Sequence, residues 1–379
     1  GIELLKSLFA PKEELQTTQG LSEKNLRAFL EQKGIGEFLM YRYYTEDDKG
    51  LGIYHMAGDR KGIVLRVFPT AMSSRNIEDS VFSLVDNLKK EGTVIQFSTF
   101  GSRNIDHLLK NYKDLHHCNV NVDNANVLRE LVDDTYDFFE KGVRETMVNG
   151  VDFRIKDFVS TISILFPENA TDKYIRQVYN QLLGNLRKLN PIKFDGNSMV
   201  RMIKEMLNPD GTMESWDNYY DRHKDMNTQM ANLGTTVKTA PGDHFEVGEK
   251  WKYRSLTTKQ FPNTKSVLTG YDLYNLFFDR FGDNIQIPLP CPFFASLTVV
   301  VGNVEEEKES ALKKARHDLK SVSKLNRETK LQHSELEPRG KEGKHTIELI
   351  EQHNQTPFKA MFSVTLMERN LDDLDRYTN

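Results

Sequence analysis

Cysteine is nearly absent: Cys118 and Cys291 are the only two in 379 residues. Two are too few for a disulfide framework, and a reducing cytosol is the natural setting. Long apolar runs are missing too. The most apolar stretch, "FFASLTVVV" at 293–301, falls far short of the roughly 18 residues that mark a membrane span. No secretory signal opens the chain, which begins with Gly1 rather than Met, so an engineered or trimmed start is expected. "GIELLKSLFA" at 1–10 reads as an amphipathic helix lying on a membrane or a partner, or as a helix end packed on the body of the protein; the second reading is the stronger.

Catalytic signatures are also lacking. A phosphate-cradling loop needs G-x-x-x-x-G-K-[ST], so that amides wrap the phosphates, the Lys reaches the outer ones and the hydroxyl holds magnesium. "RGKEGKHT" at 339–346 places Gly340 and Gly343 only three apart, follows Lys344 with His345, and has no strand before it. "GTTVKT" at 234–239 lacks the second glycine, and "GDHFEVGEK" at 242–250 has no hydroxyl after Lys250. No G-x-S-x-G, H-E-x-x-H or G-x-G-x-x-G occurs. "HHC" at 116–118 has no second ligand pair at a spacing that converges on zinc, and reads as a helix C-terminus with two exposed histidines. The pairs Asp47–Asp48, Asp133–Asp134 and Asp372–Asp373 read as a turn, a helix face and a tail. No catalytic, cofactor-binding or metal residue is therefore assigned.

A large charge excess of either sign is missing. The net charge is −4, with 38% hydrophobic and 28% charged residues, as in an ordinary soluble globular protein. That balance argues against a protein coated in nucleic acid, but a local basic face remains open. Residues 311–345 hold ten Lys or Arg against five acids, a local +5. Lys313, Lys320 and Lys324 share a helical stripe with His317 and are the candidate contacts to nucleic acid or to a partner. No aromatics interleave, so a solvated face is the stronger reading and no stable nucleic-acid complex is expected.

What is present is a run of well-punctuated elements. Ser22 and Gly34 bracket a short helix. "EFLMYRYY" and "LGIYHMAG" flank "TEDDKG" as a hairpin, and "GIVLRVF" and "TVIQFSTF" add two strands. A helix capped by Ser73 or Ser74 separates these two, and helices over 104–116 and 124–147 follow them. "VDFRIKDFVSTISILF" reads as a long strand, with helices over 171–189 and 198–207 after it. The polar stretch 208–243 reads as a linker or excursion. A second block adds the strand "KWKYRSLTTK", the helix "YDLYNLFFDRF", the strand "PFFASLTVVVG", helices over 304–326 and 343–353, and the strand "FKAMFSVTLME". The expected class is α+β: mixed, mostly antiparallel sheets with flanking helices in two lobes, 1–207 and 244–379. Repetition of strand, two helices and strand suggests a duplicated ferredoxin-like unit.

In this order the blocks resemble the N-terminal domain of TraC-type ATPases of conjugative type IV secretion. "FLMYRYYTEDDKGLGIYHMAGDRKGIVLRVFP" is similar to the family's entry hairpin and proline-ended strand, and "VDFRIKDFVSTISILFP" to its next block. The most specific stretch is "YRSLTTKQFPNTKSVLTGYDLYNLFFDRFGDNIQIPLPCPFFASLTVVVG", with a K-x-x-P step, a Gly-Asp turn and a proline-flanked Phe opening a buried strand. The segment from "EKESALKKARHDLKSVSK" to "FKAMFSVTLME" resembles the approach to the motor domain. The resemblance covers most of 37–368 by pattern more than by identity.

It implies an N-terminal docking and assembly domain of a motor that energises pilus biogenesis and substrate transfer. That motor would act as a hexamer on the cytoplasmic face of the bacterial inner membrane, peripherally attached and in contact with inner-membrane secretion proteins. ATP and Mg would be bound only in a domain beyond residue 379, so these residues would be an excised half. The alternatives are a complete, non-enzymatic binding module, for nucleic acid through 311–345, and an enzyme whose site carries no known motif.

Overall fold

The computed structural model describes residues 39–68, 81, 83–117, 125–147, 152–209, 219–231, 235–239, 243–248, 250–258, 289–306, 308–310, 312–313 and 358–378. Its strands are β1 (Tyr41–Glu46), β2 (Gly52–Met56), β3 (Lys61–Val67), β4 (Val94–Ser102), β5 (Asp157–Leu165), β6 (Ile192–Lys193), β7 (Val237–Thr239), β8 (Phe245–Val247), β9 (Trp251–Thr257), β10 (Phe293–Val301) and β11 (Phe358–Glu368). The helices are α1 (Asp106–His117), α2 (Ala125–Arg144), α3 (Asp172–Asn185), α4 (Gly196–Leu207), α5 (Met226–Met230) and α6 (Leu371–Thr378). All these strands form one antiparallel sheet in the order β1-β2-β3-β5-β4-β10-β11-β9-β8-β7, with β6 pairing β3 from outside that path. The class is mixed α+β, as the sequence indicates. The strand order does not show the expected ferredoxin-like duplication.

Strand alternation decides which face each residue covers. Ile63, Leu65 and Val67 of β3 join Ile95, Ile162 and Ile164 in one core, while Val64 joins the core on the opposite face. On the first face α3 lays down Ile175, Val178 and Leu182 at spacings of three and four. Helical residues 83–87, followed by Leu88, add Leu84 and Leu88. On the second face α4 supplies Met199, Val200 and Met202, and α5 supplies Met226 and Met230, over Tyr54, Phe100, Trp251 and Tyr253. Burying each Leu or Ile contributes about 1.5–3 kcal/mol, so the two layers fix the sheet from both sides.

Both main helices start at sequence-encoded caps. Thr171 accepts from Tyr174 N at 3.3 Å ahead of α3, and the Asp195 carboxylate accepts from Ser198 N at 2.8 Å ahead of α4. The buried Tyr54 hydroxyl lies 2.7 and 2.8 Å from the carbonyls of Phe194 and Asp195, to which it donates, and so ties α4 to β2.

The sheet is closed at its middle by β4 and β10, which pair from Phe293–Gly101 to Val300–Val94. Elements from either side of residues 208–243 therefore meet edge to edge. Gly101 is required there: a Cβ would lie 2.6 Å from the Phe293 ring. Within 208–243, α5 buries both of its methionines and β7 extends the sheet beyond β8.

Several sequence expectations shift. "VDFRIKDFVSTISILF" is strand only from Asp157, since residues 152–156 run irregularly. "GDHFEVGEK" contains β8 and the hairpin turn at Gly248 (φ 65°), so Gly248 serves a turn. Asp372 and Asp373 sit in the first turn of α6 rather than in a tail, where their charge suits the helix dipole. The helices expected at 22–33, 271–281 and 343–353 and the stretches 1–10 and 339–346 lie outside the described residues.

Candidate docking surface

At the end of the sheet where β4 and β11 finish and β5, β9 and β10 begin, charged side chains converge. Ser102 closes β4, and Asn104 leads into α1, its side chain accepting from Asp106 N at 3.2 Å. Glu205 of α4 reaches this point with 5% exposure. It accepts from Ser102 Oγ at 3.2 Å, from Asn104 Nδ2 at 3.1 Å and from Arg201 Nε at 3.1 Å. Burial pushes the Glu205 carboxyl above the usual carboxylate range, while Arg201 and the two neutral donors pull it down.

Arg201 continues the chain of contacts, its Nη2 lying 3.0 Å from His107 Nδ1 on α1. The other ring nitrogen of His107 is 3.5 Å from the Asp157 carboxylate at the start of β5. Arg201 can only donate, so His107 Nδ1 accepts and Nε2 carries the proton. Burial first, then Arg201, lowers the His107 pKa, which favours the neutral ring. Arg103 binds Glu368 of β11 at 2.8 Å and lies 5.9 Å from the Trp251 ring centroid. Nearby, burial lowers Lys156 to about 8 and pushes the Cys291 thiol up to about 12. Buried charges of this kind are costly to break once paired, so the root of α1 is held against α4, β5 and β11 together.

From this root rises an α1–α2 hairpin. Ile105, just ahead of α1, and Leu109 of α1 pack on Val143 of α2, with Tyr136 and Ile155 at the margin. Lys113 spans the helices to Asp133 at 2.7 Å and sits 5.3 Å from the Tyr136 ring centroid. The chain returns to the sheet through Ile155 N to Gly142 O (2.9 Å) and Met147 N to Phe153 O (3.1 Å).

Among the described residues, the other side of the hairpin presents an exposed apolar face. On α2, Val127, Leu128, Leu131, Phe138 and Phe139 are between 39% and 64% exposed. At 100° per residue they fall on one side of the helix. Leu108 and Leu115 of α1, 48% and 65% exposed, fall at 100° per residue on the side of α1 turned away from Lys113, and so away from its partner Asp133 on α2. Side chains of this size carry on the order of 150–200 Å² each, so the face amounts to roughly 600 Å² of apolar surface. A soluble monomer seldom exposes so large a contiguous patch unless something binds it.

The sequence carried this signal unread. Tyr136 and Val143 lie on one stripe toward α1, and Leu128, Leu131 and Phe138 form a second. One amphipathic helix with two stripes has more apolar surface than one neighbour can cover.

Other candidates are satisfied internally. A cleft of 680 Å³ at the turn between β2 and β3 is lined by Arg42, Tyr43, His55, Arg60, Lys61 and Asn169, among others. Arg60 there donates to the carbonyls of Phe166 and Gly92, at 3.1 and 2.7 Å. Lys61 pairs with Asp172 at 2.6 Å, and Tyr43 stacks on His55 at 4.1 Å. Of the stripe Lys313, Lys320 and Lys324, only Lys313 is among the described residues, exposed and paired with Glu309 at 2.7 Å. Lys320 and Lys324 lie outside them. Among the described residues no cluster of His, Cys, Asp and Glu could hold a metal, and no helix is long and apolar enough to cross a membrane.

A family model described as TraC protein matches residues 35–371 of the chain. No curated protein matches it.

Proposed function

The chain belongs to the TraC protein family of type IV secretion and conjugation, and from that premise we propose that it is the docking and assembly part of a conjugative-transfer motor. One observation carries the proposal: among the described residues, roughly 600 Å² of apolar side chain is exposed on a hairpin whose root is locked into the sheet by buried ion pairs. A preorganised apolar face loses little conformational entropy on binding, which is what a docking surface needs. On this reading ATP and Mg are bound by another domain of the motor. The present residues join it to inner-membrane components and to its neighbours in a hexamer, at the cytoplasmic face of the membrane. The 311–345 basic stretch then makes no more than salt-sensitive contacts with DNA.

The test is the double substitution Leu131→Ser and Phe138→Ser in the transfer protein of a donor cell. Both side chains are exposed, so the stability change stays within about 0.5 kcal/mol each, and circular dichroism should be unchanged. DNA transfer should fall at least tenfold. Normal transfer by a folded double variant refutes the docking reading.

A further inference from the structure

The docking reading leaves open what covers the α1–α2 face, and the charges beside it narrow the answer. Along α2 the border away from α1 is formed by Asp134, Lys141, Glu130 and Asp137, in that order around the helix. Lys141 is already paired with Glu145 at 3.4 Å. Glu130, Asp134 and Asp137 make no ion pair among the described residues, whereas the neighbouring Asp133 is bound to Lys113. The apolar stripe is therefore bordered by three carboxylates that form no ion pair, of which Asp137 also feels the charge of Lys113.

Two occupants are disfavoured by that border. A second copy docking with its α2 antiparallel across a two-fold axis would lay one acidic border on the other. An anionic lipid surface would accept Leu and Phe but repel the same carboxylates. The stripe from Val127 to Phe139 is about 18 Å long at 1.5 Å per residue, which suits three to four turns of a partner helix. Its roughly 600 Å² approaches the ~800 Å² that each partner contributes to a standard interface.

We propose that the α1–α2 face receives an amphipathic helix of another protein, with Leu or Phe at i, i+3 or i+4, and i+7 and with Lys or Arg beside that stripe. The apolar side chains supply the affinity, and the basic ones meet Glu130, Asp134 and Asp137 and set the orientation. This rests on the docking reading and names the chemistry of the docked element.

The experiment uses the 379-residue chain and two fluorescent 15-residue peptides with the same leucine pattern, one with lysine and one with glutamate at the flanking positions. Fluorescence anisotropy at low salt should show the lysine peptide binding about tenfold more tightly, since exposed charge pairs add modestly and together. The preference should reverse in the triple variant Glu130→Lys, Asp134→Lys, Asp137→Lys, and both peptides should lose affinity with Leu131→Ser and Phe138→Ser. Equal binding of the two peptides, or a preference unmoved by charge reversal, overturns the proposal. So does self-association in sedimentation equilibrium that Leu131→Ser abolishes, or capture by vesicles containing phosphatidylserine that exceeds peptide binding. If the double serine variant fails in transfer while the peptides bind alike, docking stands and this partner chemistry falls. If the peptides are discriminated while transfer is normal, the docking reading itself falls.

Discussion

Replacing Glu205 by Ala removes the one acceptor shared by Ser102, Asn104 and Arg201. Two neutral donors are then left in a buried site, each costing about 1–3 kcal/mol if it finds no other partner. Arg201 keeps a charge that lacks its carboxylate; its side chain is 28% exposed, so water offsets part of that cost. Breaking a buried ion pair costs about 3–5 kcal/mol. With partial rehydration of Arg201, the sum expected for Glu205→Ala is about 3 kcal/mol. Glu205→Gln keeps one oxygen for two donors but turns an amide N–H₂ toward the third, and should cost about half as much. Urea unfolding followed by tryptophan fluorescence measures both, because Trp251 lies in the same region beside Arg103. Native-state hydrogen exchange adds the local consequence: amides of α1 should lose protection before those of α3, which does not touch the network. A loss below 1 kcal/mol for Glu205→Ala, or equal loosening of α1 and α3, would refute the view that buried charge anchors the hairpin.

Three further outcomes are expected. Gly101→Val should destabilise by about 2–3 kcal/mol in the same unfolding assay, because its Cβ would enter the Phe293 ring and pry β4 from β10. His107 has a folded pKa below its unfolded value near 6.5, so the unfolded chain takes up the extra proton and stability is lost as pH falls below about 6.5. Denaturation midpoints between pH 7.5 and 5.5 should show this fall, and His107→Gln should flatten it. Cys291, fully buried with its thiol pushed up to about 12, should resist alkylation in native protein and react on unfolding, as mass spectrometry of the labelled peptide would show.

The elements most legible in the sequence were those whose periodicity ran long enough to be unambiguous. "TVIQFSTF", "FFASLTVVV" and "FKAMFSVTLME" all appear as β4, β10 and β11. The short strands β6, β7 and β8, of two or three residues each, have no period to read, and they exist only because a longer neighbour offers its edge. α5 is illegible in the sequence for a related reason. Its five residues form no amphipathic pattern, and Met226 and Met230 become core only when Trp251 and Tyr253 arrive from β9. Pairing of β4 with β10 joins residues nearly 200 positions apart, and local pattern cannot carry such a partner choice.

The candidate surface was legible in part. The helix over 124–147 was evident from its spacing, but the side left uncovered depends on where α1 packs, and only the contacts of Ile105, Leu109 and Val143 settle that. The buried charges were individually unremarkable in sequence. Ser102, His107, Arg201 and Glu205 sit on three different elements and acquire meaning from the end of the sheet that gathers them.

The most direct test of the docking reading is photo-crosslinking in intact donor cells, with a photoreactive amino acid placed singly at Leu131, at Phe138 and, as a control, at Leu256 on β9, which is 41% exposed and remote in sequence from the hairpin. The account predicts adducts from 131 and 138 to another protein of the transfer apparatus, lost when Glu205→Ala loosens the root, with none from 256. Absence of adducts at 131 and 138 in cells that transfer DNA normally, or adducts only between copies of this chain, would contradict it.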